Sequence, residues 1–201
     1  MPLPTAIAKA ANLLEKFAAP EGTPLPTPAA PAPVSIRKQC GQWWCWAAVV
    51  QAIFARQGEQ RLQCEIADDH FKTAGGLGDN PDCCPERGEC KGAPDDPCDR
   101  PENLTRVLRH LKIAFEGPKY CGSVAMTTLA KEVKSHPVAC SFAGGEDPHY
   151  CLIGSCVTLA KGYRIDLLDP ADGICFTHDI DLPCFVHPEG DRDSKQFYFL
   201  R

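Results

Sequence analysis

One short segment, residues 39–48, constrains the fold of this chain more than any other. It reads Gln-Cys-Gly-Gln-Trp-Trp-Cys-Trp-Ala-Ala and continues into an apolar run through Phe54, which is long enough for a buried helix. Cys45 would then lie in the first turn of that helix, where unpaired backbone N–H groups and the positive end of the helix dipole favour a thiolate over a thiol. Because the thiolate is the nucleophilic form of cysteine, the segment predicts a reactive Cys45.

The residues around Cys45 add to this prediction. Gln39 lies upstream, where its carboxamide N–H could help to hold an oxyanion that forms beside Cys45. The three tryptophans of the whole chain, Trp43, Trp44 and Trp46, surround the same cysteine and predict a dry, rigid wall. A buried structural cysteine in an aromatic core is the alternative interpretation.

Charge and hydropathy exclude several classes of partner. The net charge is −5 and no basic block occurs, so neither nucleic acid nor an anionic membrane is an expected partner. No apolar run reaches the roughly 18 residues that a membrane-spanning helix requires. The N-terminus has no basic region followed by an apolar region, so we expect no ordinary secretory signal.

Thirteen cysteines are many for a cytosolic protein, and the number is odd. One nucleophile and six disulfide pairs would account for all of them. Disulfides imply an oxidising compartment, whereas the missing signal does not. The compartment therefore stays open, with secretion or export through a specialised machine as one interpretation.

The chain divides into two parts by composition. Residues 1–33 contain a short amphipathic helical pattern and then a Pro/Ala-rich stretch, which is typical of an extended linker. The domain is predicted to span residues 34–201.

Hydrophobic periodicity predicts helices first and strands afterwards, which is an α+β pattern. The predicted helices cover residues 45–57, 61–71 and 126–135, with a further helix capped by Asp99 or Arg100 that has Pro101 in its first turn. The stretch between residues 75 and 98 predicts an irregular excursion. The predicted strands cover residues 138–142, 149–156, 162–170, 173–180 and 196–200, the last closing an antiparallel sheet.

Cysteines 83, 84, 90 and 98 cluster in the irregular excursion. Their spacing does not supply the C-x2–4-C pairs typical of zinc sites, so we favour disulfides, with Cys64 as a natural partner for one of them. A metal site, to which His70 could add a ligand, and reduced thiols remain alternatives. Cys40 is also expected in a disulfide.

Cysteine chemistry on a carbonyl needs a base beside the thiol and a group that orients the base. His149 begins a predicted strand directly after a Gly-Gly turn, where its imidazole could point toward Cys45. Asp169 ends the next strand, and a hairpin would bring it close enough to accept the Nδ1–H of His149. His178 and His187 are weaker candidates for the base, because neither is followed by a partner acid in a comparable pattern.

The Gln-x5-Cys-Trp-Ala motif at Gln39 and Cys45 resembles the active-site motif of papain-like cysteine peptidases. The Trp-Cys-Trp-Ala-Ala form is more similar to the short bacterial branch, which includes effector-type and leader-processing proteases. The resemblance implies a helical N-terminal part that bears the nucleophile on a helix N-terminus and an antiparallel β-sheet C-terminal part. It also implies a Cys45–His149–Asp169 triad, with Leu168-Asp169-Pro170 in the place of the orienting acid and Gln39 in the oxyanion hole.

The function implied is hydrolysis of peptide bonds in a protein or peptide substrate, with no cofactor and no metal, by a bacterial effector, toxin or processing protease. An acyltransferase or deamidase toxin of the same fold and an inactive papain-like binding module are the alternatives. The segment before residue 34 could be the enzyme's own substrate. The chain departs from papain and the cathepsins, because Asp169 stands where they use asparagine and the Cys-to-His interval is shorter than their roughly 130–150 residues.

Overall fold

A computed structural model describes residues 34–74, 82–84, 96–143, 148–187 and 193–201, and every structural statement below concerns these residues. Four α-helices and six β-strands are found among them. The helices are α1 (Cys45–Arg56), α2 (Gln63–Ala74), α3 (Leu104–His110) and α4 (Met126–Ser135). The strands are β1 (Phe115–Tyr120), β2 (Val138–Ala143), β3 (His149–Thr158), β4 (Tyr163–Asp169), β5 (Ile174–Ile180) and β6 (Asp193–Leu200).

The strands form one sheet in the order β1-β6-β2-β3-β4-β5, and every neighbouring pair is antiparallel. The α+β class and the antiparallel sheet are therefore confirmed. Strands β2 to β5 form the predicted meander. The last strand differs from the expectation, because β6 lies inside the sheet between β2 and a strand, β1, that the sequence pattern did not predict. The half-buried alternation of β1 includes Gly117 and Pro118, which are both unfavourable in strands and conceal it.

Helices pack on both faces of the sheet. One face contributes Ala139, Tyr150, Leu152 and Tyr198 to a core that it shares with α1, α2 and α3. The opposite face contributes Cys140, Cys151, Ile153 and Phe197 to a second core, which α4 covers. This division follows from the period of two along a strand, which sends successive side chains to opposite faces.

Helix α1 is the most deeply buried helix. Its residues from Cys45 to Phe54 are all buried, including the amide of Gln51. A helix that is apolar all round must be enclosed on every side, here by β3 together with α2 and α3. The prediction of a buried helix that begins at Cys45 is confirmed.

The turn before α1 is held by the carboxylate of Asp99. Its two oxygens accept the backbone N–H groups of Gln42 and Trp43, each at 2.8 Å. Gly41 permits this approach, because a Cβ at that position would lie 2.4 Å from Asp99 Oδ1. Asp99 therefore supplies acceptors to the orphan N–H groups that precede a helix.

The prediction that Asp99 or Arg100 caps the third helix is wrong. That helix, α3, begins at Leu104, and the side chain of Asn103 accepts the N–H of Arg106 at 3.3 Å. Asn, like Asp, is a favoured N-cap residue, so local sequence did not distinguish the two positions. The carboxylate of Asp99 caps a different part of the fold, and only the tertiary structure reveals it.

Three disulfides join described residues: Cys64–Cys84, Cys83–Cys98 and Cys121–Cys184. Cys40 is disulfide-bonded as well. The expectation that Cys64 pairs with the cysteine-rich excursion is thus confirmed. The expectation of one thiol and six pairs is wrong, because five cysteines carry thiols: Cys45, Cys140, Cys151, Cys156 and Cys175.

The amphipathic pattern and the Pro/Ala-rich linker predicted within residues 1–33 lie outside the described residues, as does most of the irregular excursion. The boundary near residue 34 and the segment's self-processing stay predictions. Among the helices described, none is long and apolar enough to cross a membrane.

We expect Asp99→Ala to lower the free energy of unfolding by about 2 kcal/mol, because it leaves two backbone N–H groups without their charged acceptor. Asp172→Ala is the matched control: it removes a half-exposed carboxylate that pairs with Lys38 at 3.6 Å, and such pairs contribute about 0–1 kcal/mol. Urea unfolding with the disulfides intact measures both. Equal effects of the two substitutions would contradict the capping role of Asp99.

Candidate active site

Cys45 is the first residue of α1 and lies beside the beginning of β3. Its Sγ is 3.9 Å from the carbonyl oxygen of Pro148, the residue directly before His149. The backbone N–H of Tyr150, directly after His149, also donates a hydrogen bond to the thiol. The sulfur therefore lies against the backbone on both sides of His149. The structure therefore brings the predicted nucleophile to the backbone that carries the predicted base.

Burial dominates the ionisation of Cys45, whose exposed fraction is 7%. Burial raises the pKa of the Cys45 thiol to about 11, although hydrogen bonds from the backbone N–H groups of Tyr150 and Trp46 partly offset it, and the negative charge of Asp169 adds to the rise. The prediction that the helix N-terminus makes Cys45 a ready thiolate is therefore not met, because desolvation outweighs the helix terminus. At neutral pH the resting sulfur carries a proton.

The tryptophans do not form the uniform wall that the sequence suggested. The indole N–H of Trp44 donates to the carbonyl of Cys98 at 2.7 Å, and that of Trp46 donates to the carbonyl of Arg100 at 3.2 Å. Both side chains are buried and fasten the segment that carries Asp99 to α1. Trp43 differs, because 37% of it is exposed. It is the tryptophan that a substrate could contact.

His149 and Asp169 form the predicted base-and-acid pair. Nε2 of His149 lies 2.8 Å from Oδ1 of Asp169. Strands β3 and β4 pair Leu152 with Leu168, so Asp169 lies at the end of β4 beside the start of β3. One detail of the prediction is wrong: Asp169 binds Nε2 rather than the Nδ1–H. Nδ1 of His149 is consequently the ring nitrogen that does not face Asp169.

Asp169 is a buried carboxylate with three hydrogen-bond donors. Besides His149, the backbone N–H of Ala171 donates to Oδ1 at 2.8 Å, and Nε2 of His187 lies 3.0 Å from Oδ2. Burial alone would raise the pKa of Asp169, but hydrogen bonds from His149, His187 and Ala171 outweigh it and hold the pKa well below the usual range. The carboxylate is therefore ionised at neutral pH and is an acceptor for both imidazoles.

His187 is the site residue that sequence reasoning missed. It follows β5 in a loop, is 5% exposed, and packs its ring against Phe142 with centroids 4.9 Å apart. It is the weaker candidate for the base because no acid follows it in a pattern comparable to that of His149, yet the acid it contacts, Asp169, precedes it on another strand. The apolar neighbours Phe185 and Val186 were the only local sign that this loop turns inward. His178, the other weaker candidate, lies on β5.

Gln39 lies near the site in a conformation that differs from the expectation. Its Nε2 donates to the carbonyls of Gly41 at 3.0 Å and Gln42 at 2.6 Å, and so braces the turn before α1. Its Oε1 is buried, with no hydrogen-bond partner among the described residues. A role in an oxyanion hole would require one of the two carbonyl contacts to open. That role stays a prediction.

His70, which we considered as a metal ligand of the cysteine-rich segment, is a core residue elsewhere. Its Nε2 is 3.4 Å from Oε2 of Glu102, and its Nδ1 is 3.2 Å from Nδ1 of His110. Cys64, Cys83, Cys84 and Cys98 are all in disulfides and hold no thiolate for a metal. The metal alternative is therefore excluded for these four residues.

Comparison with known proteins does not identify a family for this chain. No protein-family model matches the chain, and no curated protein matches it.

We expect Asp169→Asn to destabilise the fold at pH 7 by about 2 kcal/mol, because an amide replaces the charged acceptor of two buried imidazoles. The pKa of Asp169 is lower in the folded state than in the unfolded state, so its stabilisation is fully present above the unfolded pKa of about 4 and is lost as the pH falls toward the folded pKa. The difference between wild type and variant should therefore shrink below about pH 4. Urea midpoints between pH 2.5 and pH 8 measure it, with the exposed Asp181→Asn as control; a difference independent of pH would contradict this assignment.

Proposed function

We propose that this protein is a papain-like cysteine peptidase in which Cys45 is the nucleophile, His149 is the general base and acid, and Asp169 orients the imidazole. The observation that carries the proposal is the 2.8 Å contact between His149 Nε2 and Asp169 Oδ1 at the point where the Cys45 sulfur meets the first residues of β3. A thiol, an imidazole and a carboxylate in this order are the parts that acyl transfer needs.

The first half-reaction transfers an acyl group to the enzyme. His149 Nδ1 takes the proton of the Cys45 thiol as the sulfur attacks the carbonyl carbon of a peptide bond, and the carbonyl oxygen becomes an oxyanion. The imidazolium is stabilised by Asp169 through the Nε2–H. His149 Nδ1–H then protonates the leaving amine, the C–N bond breaks, and a thioester remains on Cys45.

The second half-reaction releases the acid. His149 Nδ1 takes a proton from a water molecule, whose oxygen attacks the thioester carbonyl. The C–S bond breaks, the proton returns to Cys45, and the enzyme regains its resting state. Gln39 is our candidate donor to the oxyanion in both steps, through an N–H released from Gly41 or Gln42.

The buried thiol makes the base essential. A cysteine with a pKa of about 11 has only about one thiolate in 10⁴ at pH 7, so attack depends on a proton acceptor placed beside it. Direct transfer to His149 meets this requirement. In this proposal the helix N-terminus positions the sulfur, and the base activates it.

Two further features support a class of substrate and a compartment. The half-exposed Trp43 next to the nucleophile offers an apolar surface to a peptide, in keeping with a protein or peptide substrate. The three disulfides joining described residues are compatible with an exported enzyme that works outside a reducing cytoplasm. We therefore favour an exported effector, toxin or processing protease.

The test is the rate at which iodoacetamide alkylates Cys45, resolved from other thiols by peptide mapping, in wild type, His149→Ala and Asp169→Asn between pH 5 and pH 10. We expect at least a 10-fold loss of rate at pH 7 in His149→Ala. The remaining rate should rise about 10-fold per pH unit, because the thiol then titrates alone toward its high pKa.

Cys175 provides the control within each sample, because it is an exposed thiol far along the chain on β5. Its alkylation should be the same in all three proteins. Alkylation of Cys45 that ignores both substitutions would overturn the proposal and leave a cysteine-rich binding module. Incubation with a denatured protein substrate then separates the same-fold alternatives, since a peptidase releases new N-termini whereas a deamidase releases ammonia.

A further inference from the structure

A second chemical group shares the site with the triad. His149, Cys151, Asp169 and His187 each offer one ligand-type atom, and these four atoms all lie within 4.8 Å of one another. Two of the distances are between imidazole Nε2 and carboxylate oxygen, at 2.8 Å and 3.0 Å, and the Cys151 sulfur is 3.9 Å from His187 Nε2. The peptidase mechanism uses neither Cys151 nor His187.

The sheet brings the four residues together. His149 and Cys151 are two positions apart on β3, so their side chains leave the same face. The pairing of Leu152 with Leu168 makes Cys151 and Asp169 the next facing positions on β3 and β4. His187 closes the group from the loop after β5. Because three of the ligands stand on paired strands, the arrangement is rigid.

Burial distinguishes this group from an ordinary surface cluster. The Cys151 side chain has no exposed surface, and the side chains of His187 and Asp169 are at most 5% exposed. The His149 side chain is 11% exposed and is the most exposed of the four. An ion could therefore enter past His149 and would then be enclosed by protein ligands.

The four ligand-type side chains suit a zinc ion. Two imidazoles, one thiolate and one carboxylate are all ligands that Zn²⁺ accepts, and four is its usual number in enclosed sites. Tetrahedral bonds of about 2.0–2.3 Å place ligand atoms about 3.3–3.8 Å apart. The widest pair of ligand atoms must therefore approach by about 1 Å, and the two imidazole-to-carboxylate contacts must lengthen by about 0.3–0.5 Å as coordination replaces their hydrogen bonds. The charges also balance, because one thiolate and one carboxylate neutralise the two charges of the ion in a buried place.

We propose that His149, Cys151, Asp169 and His187 bind one Zn²⁺ ion, and that the ion switches off Cys45 by occupying the imidazole of His149. The inhibitory consequence rests on the proposed function, whereas the metal site does not. Binding converts the Cys151 thiol to a thiolate and releases its proton. The two neutral histidines coordinate through Nε2 and carry their protons on Nδ1. Their hydrogen bonds to Asp169 are replaced by coordination, while the N–H of Ala171 continues to hold the carboxylate.

Nδ1 of His149 is then a donor only and cannot take the proton of Cys45. His149 Nδ1 is the acceptor of the Cys45 proton in the proposed mechanism, so the thiol is then left without its base. Zinc therefore inhibits without contacting the nucleophile. This separates the site from simple capture of zinc by a reactive cysteine.

The binding test uses the full chain with its disulfides intact, stripped of metal by EDTA and dialysed. Zn²⁺ is titrated against a chromophoric chelator, and Co²⁺ is added separately to report a thiolate-to-metal charge-transfer band in the near ultraviolet. We expect one Zn²⁺ per chain with a Kd below about 1 μM. Cys151→Ala and His187→Ala should weaken Zn²⁺ at least about 100-fold, and Cys151→Ala should abolish the charge-transfer band.

Two cysteine variants are the controls. Cys156→Ala removes another buried thiol of β3 that is outside the group, and Cys45→Ala removes the nucleophile. Both should bind Zn²⁺ and show the Co²⁺ band as wild type does. Loss of the band in Cys45→Ala with retention in Cys151→Ala would overturn the proposal, because the ion would then be held by the nucleophile. Absence of stoichiometric binding by the wild type would overturn it as well.

The functional arm measures alkylation of Cys45 with and without Zn²⁺, with each variant normalised to its own metal-free rate. Zinc should suppress the wild-type rate at the concentrations that fill the site, and should not suppress it in Cys151→Ala at the same concentrations. Binding without triad-dependent alkylation would retain the metal site and reject the peptidase. Triad-dependent alkylation without binding would retain the peptidase and reject the metal site.

Discussion

The enclosure of helix α1 is the constraint on which the rest of the structure depends. A helix that is apolar on every side requires a sheet face on one side and helices α2 and α3 on the other. The turn that leads into the helix is exposed at Gln42 and Trp43, and the carboxylate of Asp99 accepts the backbone N–H groups of both residues. The disulfide between Cys83 and Cys98 fastens the segment that delivers Asp99. Each of these features follows from burying residues 45–54.

The same enclosure explains the character of the candidate nucleophile. Cys45 is the first residue of this buried helix and is itself buried. It therefore lies close to β3, but it lacks the solvation that stabilises a thiolate. The two effects have opposite consequences for reactivity. In the proposed mechanism His149 resolves them, because a base that takes the proton during attack makes a standing thiolate unnecessary.

Much of the fold could be predicted from the sequence where one local pattern dominates. The apolar run of α1, the stripe of Leu129 and Val133 in α4, and the meander from β2 to β5 all carry their own periodicity. The pairing of His149 with Asp169 was also predictable, because a hairpin between consecutive strands fixes which ends meet. These parts depend on short-range information, and the structure agrees with them.

The remaining features depend on contacts between distant segments. The sequence pattern around Asp99 predicts a cap for the helix that follows it. The neighbouring residues do not indicate that its hydrogen-bond partners are Gln42 and Trp43. His187 lies in a loop after β5, and its partner acid, Asp169, is distant in the sequence, so this contact could not be predicted from the neighbouring residues. Strand β1 is concealed by Gly117 and Pro118, although β6 pairs with it. The odd number of cysteines showed that at least one is not in an intramolecular disulfide, but it did not show which cysteines pair. A buried thiol in a sheet, such as Cys140, cannot be distinguished in the sequence from a disulfide partner.

The order of the elements along the chain has a consequence for how the protein is made. The proposed nucleophile lies at the start of the first described helix, and its proposed base and acid lie on β3 and β4, so a growing chain carries Cys45 long before it carries its partners. An intermediate with only its helices folded holds Cys45 without the imidazole that the proposed mechanism requires. In the proposed mechanism, peptidase activity begins only when the sheet has folded against α1. The cell that synthesises the protein is therefore not exposed to that activity before folding is complete.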